Sequence, residues 1–379
     1  MLYRKMPRVK EEFSILGFGC MRLPMNGSKV DETSALRMMN AAIDSGVNYV
    51  DTAWPYHGGE GEAIVGRLLK GGLRNKVNVA TKMPSWLIKT RADMDTYLEK
   101  QLEFLQTDHI DVYLLHSLTD DRWANLSGLG VIDFMEKAKA AGKIRYIAFS
   151  FHDGLDAFKK IVDAYHWDIC QIQYNFLDVN YQAGEEGLKY AAAKDIGMVI
   201  MEPLKGGSVT APLPSELKTA AERANYSHPT IADIALRWVW NHPEVGVVLS
   251  GMSSEEQMKQ NLESAKAGLA NSLTKEELEL MSEAKKLYGS KIKVPCTACA
   301  YCVPCPMSID IPQCFRNFND AALSGNWEGQ KNNYLYLLSG AREGKSASVC
   351  VECGECESKC PQHIPIRERL KEVAAAFGA

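Results

Sequence analysis

Eight β-prone runs, each followed by a segment with apolar residues at helical spacing, predict an α/β chain built as a (β/α)8 TIM barrel with a small cysteine-rich domain after it. Three observations carry this prediction. The 379 residues exceed the about 250 of a typical barrel by the size of a small domain. Strand then helix, repeated, favours parallel neighbours, and eight repeats favour closure over an open sheet. Nine of the eleven cysteines fall after residue 288, which places the barrel at 1–288 and the appended domain at 289–379.

The first strand is expected over Phe13 to Gly19. An Asp31 cap then opens a helix with Leu36, Met39 and Ile43 on one face, which stops near Gly46. Later strands are expected at Asn48 to Asp51, Val77 to Thr81, Ile110 to Leu115, Ile144 to Phe149, Ile169 to Ile172, Met198 to Met201 and Val245 to Leu249. Between them lie apolar stripes at helical spacing, for example Leu98, Leu102 and Leu105, then Phe158, Ile161, Val162 and Tyr165. Thr274 and Glu277 form a capping-box pattern before a last helix that runs to about Leu287.

Composition narrows the function. At 46% hydrophobic and 24% charged residues the chain can bury a large core. A net charge of -4 without a dense Lys/Arg cluster argues against nucleic acid as a partner. The start, MLYRKMPRVKEEF, lacks the apolar core of a signal peptide, and no run approaches 18 apolar residues, so no membrane association and a cytoplasmic location are expected. GFGCMR at Gly17 opens like a dinucleotide fingerprint, but the third glycine and the later acidic partner are missing, and no GxxxxGK loop occurs.

Chemistry gathers where three successive strands end. Asp51 closes one strand and Tyr56 follows five residues on; Lys82 and His116 sit at the ends of the next two. If these strands are parallel neighbours, all four side chains share the barrel face where such folds build sites. Singly, each has a plain structural explanation: a turn cap, a wall residue, a solvated end, a core histidine. Together they form a proton-donating set. A phenol with an ordinary pKa near 10 is a poor acid at neutral pH, and an adjacent ammonium stabilises its phenolate. Asp51 would hold Lys82 charged, Tyr56 would deliver the proton, and neutral His116 would position a carbonyl oxygen.

The order and setting of these four residues, in DTAWPYHGGEGEAIVG, ATK and YLLH, resemble the aldo-keto reductases. The resemblance extends from about Arg8 to Leu287 and includes FSFHD at Phe149, QIQYN at Gln171, MEPLKGG at Met201 and LSGMSSEEQMKQNL at Leu249. It implies a barrel that reduces aldehydes or ketones with extended NADP(H) or NAD(H), NADPH being favoured. It further implies that Ser150 and Gln171 meet the carboxamide and that Pro203, Leu204 and Gly206 meet the pyrophosphate. Ser250, Gly251, Gln257 and Asn261 would meet the adenosine end. Three positions depart from the family pattern: Phe151 replaces a frequent Asn, Met201 a nicotinamide-stacking Tyr, and Gln257 an Arg that meets the 2′-phosphate.

The cysteine-rich end has its own pattern. Cys296, Cys299, Cys302 and Cys305 are spaced by two, with Pro306 following; Cys350, Cys353, Cys356 and Cys360 follow C-x2-C-x2-C-x3-C-P. Disulfides do not fit a chain without a secretory signal. Paired CxxC units also suit two zinc ions, whereas the third cysteine at x2 and the Cys-Pro ending point to iron-sulfur ligation. The pattern resembles the bacterial two-cluster ferredoxins. That resemblance implies two 4Fe-4S clusters, one on Cys296, Cys299, Cys302 and Cys360, the other on Cys305, Cys350, Cys353 and Cys356. Cys314 stands outside both sets; Cys20 and Cys170 read as small buried hydrophobes. Phe315 to Arg342 reads as a helical spacer, and so weak an apolar pattern predicts a domain held together by metal ligation.

The sequence thus predicts a two-part oxidoreductase: a carbonyl reductase acting on a small molecule, fused to a ferredoxin-like iron-sulfur module. A redox protein is the macromolecular partner such a module would have. The alternative is an electron-transfer or redox-sensing protein that uses the barrel as a scaffold. Nicotinamide oxidation against a panel of carbonyl compounds discriminates the two.

Overall fold

The computed structural model describes residues 1–27, 29–207, 209–210, 212–338 and 345–378. The chain divides into two compact units, Met1–Pro203 with Leu236–Ser272, and Leu204–Ala235 with Leu273–Ala379. Each is described by itself.

The first unit is a closed barrel of eight parallel strands in sequential order. They are β1 (Leu16–Gly19), β2 (Tyr49–Asp51), β3 (Asn78–Met83), β4 (Ile110–Leu118), β5 (Ile144–Phe151), β6 (Ile169–Gln173), β7 (Gly197–Met201) and β8 (Val245–Ser250). β8 pairs with β1, Leu249 opposite Gly17, which closes the ring. Helices α1 (Glu32–Asp44), α2 (Gly61–Leu68), α3 (Arg91–Leu105), α4 (Asp120–Gly128), α5 (Val131–Ala140), α6 (Leu155–Ala164), α7 (Gly184–Ala192) and α8 (Glu255–Ser264) accompany the strands.

The first strand is shorter than its apolar run. Glu12–Ser14 pairs instead with Tyr3–Lys5 in an antiparallel hairpin, and Phe13 joins Met6 and Val9 in a cluster with Tyr49, Ala80, Val112, Leu114, Ala148, Ile169, Val199 and Val247. These three residues plug the barrel. Each contributes about 1.5–3 kcal/mol by leaving water. The GFG stretch also has a packing cause: a Cβ on Gly17 would lie 2.7 Å from Leu249, 2.9 Å from Val247 and 3.2 Å from Tyr49. Glycine there makes room for three interior side chains.

Side chains alternate along a strand, so interior positions recur every second residue. Starting from the plugged cluster, Tyr49 leads to Asp51, Ala80 to Lys82, Val112 and Leu114 to His116, Ala148 to Ser150, Ile169 to Gln171 and Val199 to Met201. The candidate residues therefore form the last interior layer toward the carboxyl ends of the strands.

The second unit contains α9 (Lys275–Lys291), α10 (Ile311–Ser324), α11 (Trp327–Leu338) and α12 (Ile366–Phe377). The capping box at α9 is present: Glu277 N–H donates to Thr274 Oγ1 at 3.2 Å and Thr274 N–H to Glu277 Oε2 at 2.9 Å. The helix extends past Leu287 to Lys291, so it crosses position 288. The spacer is two helices, α10 and α11; its expected end at Arg342 lies outside the described residues. The expectation of a weak core is corrected. Ile309, Ile311, Cys314, Phe315, Phe318, Tyr334, Leu338, Ile364, Ile366, Leu370, Val373 and Phe377 are buried together. The helices hence hold a core of their own beside the cysteines.

Candidate active site and cysteine cavities

Lys82 is the centre of the barrel site. Fully buried, its ammonium donates to Asp51 Oδ1 at 2.7 Å and to the Thr52 carbonyl at 2.8 Å. The Tyr56 hydroxyl lies 3.5 Å from the same nitrogen. Strand parity supplies Asp51 and Lys82, whereas Tyr56 sits in the one-turn 3-10 helix Tyr56–Gly59 that follows β2. The Tyr56 and His116 rings meet edge-on with centroids 6.2 Å apart. Trp86 lies 5.1 Å from His116, and the Arg122 guanidinium is over the Trp86 ring at 5.6 Å.

Burial sets the charge states. It pushes the Asp51 carboxyl up, while the Lys82 ion pair pulls it back. Removing either partner would leave a buried charge unpaired, a cost of about 3–5 kcal/mol. Burial first, then the positive charge of Lys82, holds His116 well below the usual imidazole range. The ring is therefore neutral at pH 7.

Ser150 and Gln171 are cross-strand partners between β5 and β6. Ser150 Oγ accepts from Ser117 N–H at 2.7 Å. Gln171 Nε2 points to Met201 Sδ at 3.4 Å, and its buried Oε1 has no hydrogen-bond partner among the described residues. An orphaned acceptor there fits the amide donor of a nicotinamide. Asn261 Nδ2 donates to Ser250 Oγ at 2.8 Å. Gln257 folds back on the start of α8, its Oε1 accepting from Ser253 N–H at 2.9 Å. Pro203 ends the first unit, and Leu204 and Gly206 lie in the second.

Two residues near these positions are not evident from sequence. The Arg22 stem packs on Gly251, where a Cβ would meet it at 3.1–3.2 Å; its signal was the position just past β1. Glu62 on α2 is fully buried, its Oε1 accepting from Thr81 Oγ1 at 2.5 Å and from Gln101 Nε2 at 2.5 Å. Gln101 also donates to the Lys82 carbonyl at 3.1 Å, so Glu62 braces the strand from which Lys82 projects.

Burial raises the Glu62 carboxyl from 4.5 to about 7. In the unfolded chain it would ionise near 4.5, so the folded state loses stability as pH rises from 4.5 through 7. A difference of that size corresponds to about 3 kcal/mol. Glu62→Gln keeps an acceptor and removes the titration. Its unfolding free energy relative to wild type should gain up to about 3 kcal/mol between pH 5 and pH 8, as read by denaturant melts at both values. An equal difference at the two pH values would contradict a buried, titrating Glu62.

In the second unit the cysteines border two cavities. Cys296, Cys299, Cys302 and Cys360 line one together with Thr297, Phe315 and Ile366. Cys302, Cys305, Cys350, Cys353 and Cys356 line the other together with Ile311 and Leu370. Their empty volumes, open mouths included, are about 310 and 380 Å3. Thiols spread around such a space fit a multi-atom cluster. Among the described residues, no three His, Cys, Asp or Glu side chains gather on a single-ion point. Cys314 lines neither cavity; it is buried beside the Tyr334 hydroxyl at 4.0 Å. Cys20 and Cys170 are fully buried in the barrel.

Residues 15–286 match the model of the aldo/keto reductase family. The chain belongs to this family. Residues 295–364 of this aldo-keto reductase match a 4Fe-4S dicluster domain. An uncharacterized oxidoreductase of Bacillus subtilis (strain 168) is 26% identical over 76% of the chain and 97% of its own length. L-galactose dehydrogenase of Arabidopsis thaliana is 28% identical over 66% of the chain and 83% of its own length. Among solved structures, the holo form of an aldo-keto reductase from Bacillus halodurans is 29% identical, with a TM-score of 0.63 over 75% of the chain and 96% of its own. Among the described residues no helix is long and apolar enough to cross a membrane.

Proposed function

We propose that this oxidoreductase reduces an aldehyde or ketone with a nicotinamide cofactor, NADPH being favoured over NADH, and carries two 4Fe-4S clusters in residues 289–379. The Asp51–Lys82–Tyr56 contact chain beside neutral His116 carries the first part. When bound, the nicotinamide supplies a hydride. His116 offers an N–H to the carbonyl oxygen and fixes its direction. Tyr56 gives its proton to that oxygen as negative charge develops there, and Lys82, 3.5 Å away, stabilises the charge left on the phenol. Asp51 holds the Lys82 ammonium in place at 2.7 Å. Gln171 Oε1 would orient the carboxamide, and Arg22 against Gly251 would supply the cation that Gln257 does not.

The cavity between Cys296, Cys299, Cys302 and Cys360, and the one between Cys305, Cys350, Cys353 and Cys356, support a cluster in each. A hydride carries two electrons at once, whereas a 4Fe-4S cluster passes one, so carbonyl reduction does not route through the clusters. Their use would be structural, sensory or toward a redox partner. Anaerobic protein should oxidise NADPH faster with at least one compound of an aldehyde and ketone panel than without any. No acceleration across the panel would favour the scaffold alternative, in which only the clusters exchange electrons.

A further inference from the structure

The barrel face carries a cation that the chemistry above does not use. β4 runs almost directly into α4: Thr119, the residue after the strand, caps the helix, its Oγ1 accepting from Arg122 N–H at 3.3 Å. Arg122 is thereby returned to the end of the strand that supplies His116. There its Nη1 donates to the Ser117 carbonyl at 2.6 Å and to Ser117 Oγ at 2.9 Å. Ser117 in turn gives its own N–H to Ser150 Oγ at 2.7 Å. The guanidinium is thus tied to a fixed point one residue past His116.

Trp86 joins this cation to the imidazole. It belongs to the 3-10 turn Ser85–Leu87 just past β3. Its ring centroid lies 5.1 Å from that of His116, and the Arg122 guanidinium is 5.6 Å from it on the ring face, where the indole quadrupole attracts a cation. Trp86 nevertheless stays 37% exposed, and Arg122 is half-buried. An open aromatic wall with a placed charge beside it is how a small-molecule site is lined. The field of Arg122 also reaches the ring that positions the carbonyl: burial first, then Lys82, His152 and Arg122, hold His116 below the usual imidazole range. Of the acids near Arg122 in sequence, Asp120 is paired with Lys160 at 2.6 Å, Asp153 accepts from Asp120 N–H at 2.9 Å, and Asp121 is exposed.

We propose that the substrate is an aldehyde or ketone that carries a carboxylate: its carbonyl oxygen meets Tyr56 and His116, its carbon skeleton lies along Trp86, and its carboxylate pairs with Arg122. This rests on the carbonyl-reductase reading and names the substrate class for it. A guanidinium matches the two oxygens of a carboxylate as a fork. One guanidinium also balances one charge, which suits a carboxylate better than a doubly charged phosphate ester. Arg122 is then a specificity residue, since it recognises the end of the substrate that does not react.

The test uses full-length protein prepared anaerobically, with 4-carboxybenzaldehyde and its methyl ester, which share a ring and an aldehyde but differ in charge. Wild-type kcat/KM with NADPH should be about tenfold or more higher for the acid, the worth of a hydrogen bond to a charged group. In Arg122→Gln that ratio should fall toward one, and Arg122→Lys should keep part of it. Each ratio is taken within one protein, so a general loss from disturbing Ser117 cancels, and only a role in charge recognition moves it. A wild-type ratio near one, or a ratio unchanged in Arg122→Gln, would overturn the proposal. Binding of the two product alcohols to wild-type protein, read by quenching of tryptophan fluorescence, needs no turnover. The alcohol with a free carboxylate should bind about tenfold tighter than its ester. Equal binding would overturn the proposal even if the variants fail to fold. Tighter binding of the acid with neither aldehyde reduced would keep the carboxylate site and refute the carbonyl-reductase reading.

Discussion

Tyr56→Phe is expected to lower carbonyl reduction by about 10²- to 10⁴-fold, the usual worth of a positioned proton donor, while NADPH binding stays near wild type. The substitution removes one oxygen. It leaves the ring that packs edge-on to His116 and the Lys82–Asp51 ion pair at 2.7 Å. Because the Lys82 ammonium already has Asp51 and the Thr52 carbonyl as acceptors, it is not stranded by loss of the phenol, and stability should hardly change. The loss should fall on kcat, since Tyr56 acts on charge that develops only in the transition state. Pre-steady-state turnover of the best panel substrate would separate the steps. A Tyr56→Phe enzyme with more than about half the wild-type rate would remove Tyr56 from the role of proton donor.

The barrel was legible because its signals are local. Each strand run has interior residues at every second position, and the helices between them have stripes at helical spacing. Phe13 misled because a plug and a strand look alike in a continuous apolar run; its place in the hairpin depends on Met6 and Val9 meeting it beneath the barrel. Glu62 was illegible for a different reason. An acid in a helix start reads as exposed, and its burial depends on Thr81 and Gln101, which come from later elements. Two cysteine runs are legible from spacing, since a fourth cysteine followed by proline is a pattern in one dimension, whereas the exchange of Cys305 and Cys360 between the runs was an expectation from the resemblance to two-cluster ferredoxins. The core of the appended unit was underestimated: Ile311, Phe315 and Phe318, and Ile366, Leu370, Val373 and Phe377, repeat at helical spacing. Short stripes become a core only when several helices bring them together.

Anaerobically prepared protein should carry about eight irons and eight acid-labile sulfides per chain, as two 4Fe-4S clusters require. The grouping of thiols gives this number its structure. Cys360 is distant in sequence from Cys296, Cys299 and Cys302 yet lines the same cavity, whereas Cys356, four residues earlier, lines the other. Cys360→Ser should therefore impair one site and leave its neighbour, with iron falling toward four. Cys314→Ala should keep all eight, because Cys314 is packed among α10 and α11 residues beside Tyr334 and lines neither cavity. Its cost would be a small core defect, read as a lower melting temperature with unchanged iron. The competing chemistry is distinguishable in the same sample. Zinc takes four sulfurs about 2.3 Å from one ion, without labile sulfide. Two zincs per chain and no sulfide would exclude the clusters, and equal iron loss in Cys360→Ser and Cys314→Ala would exclude the ligand grouping.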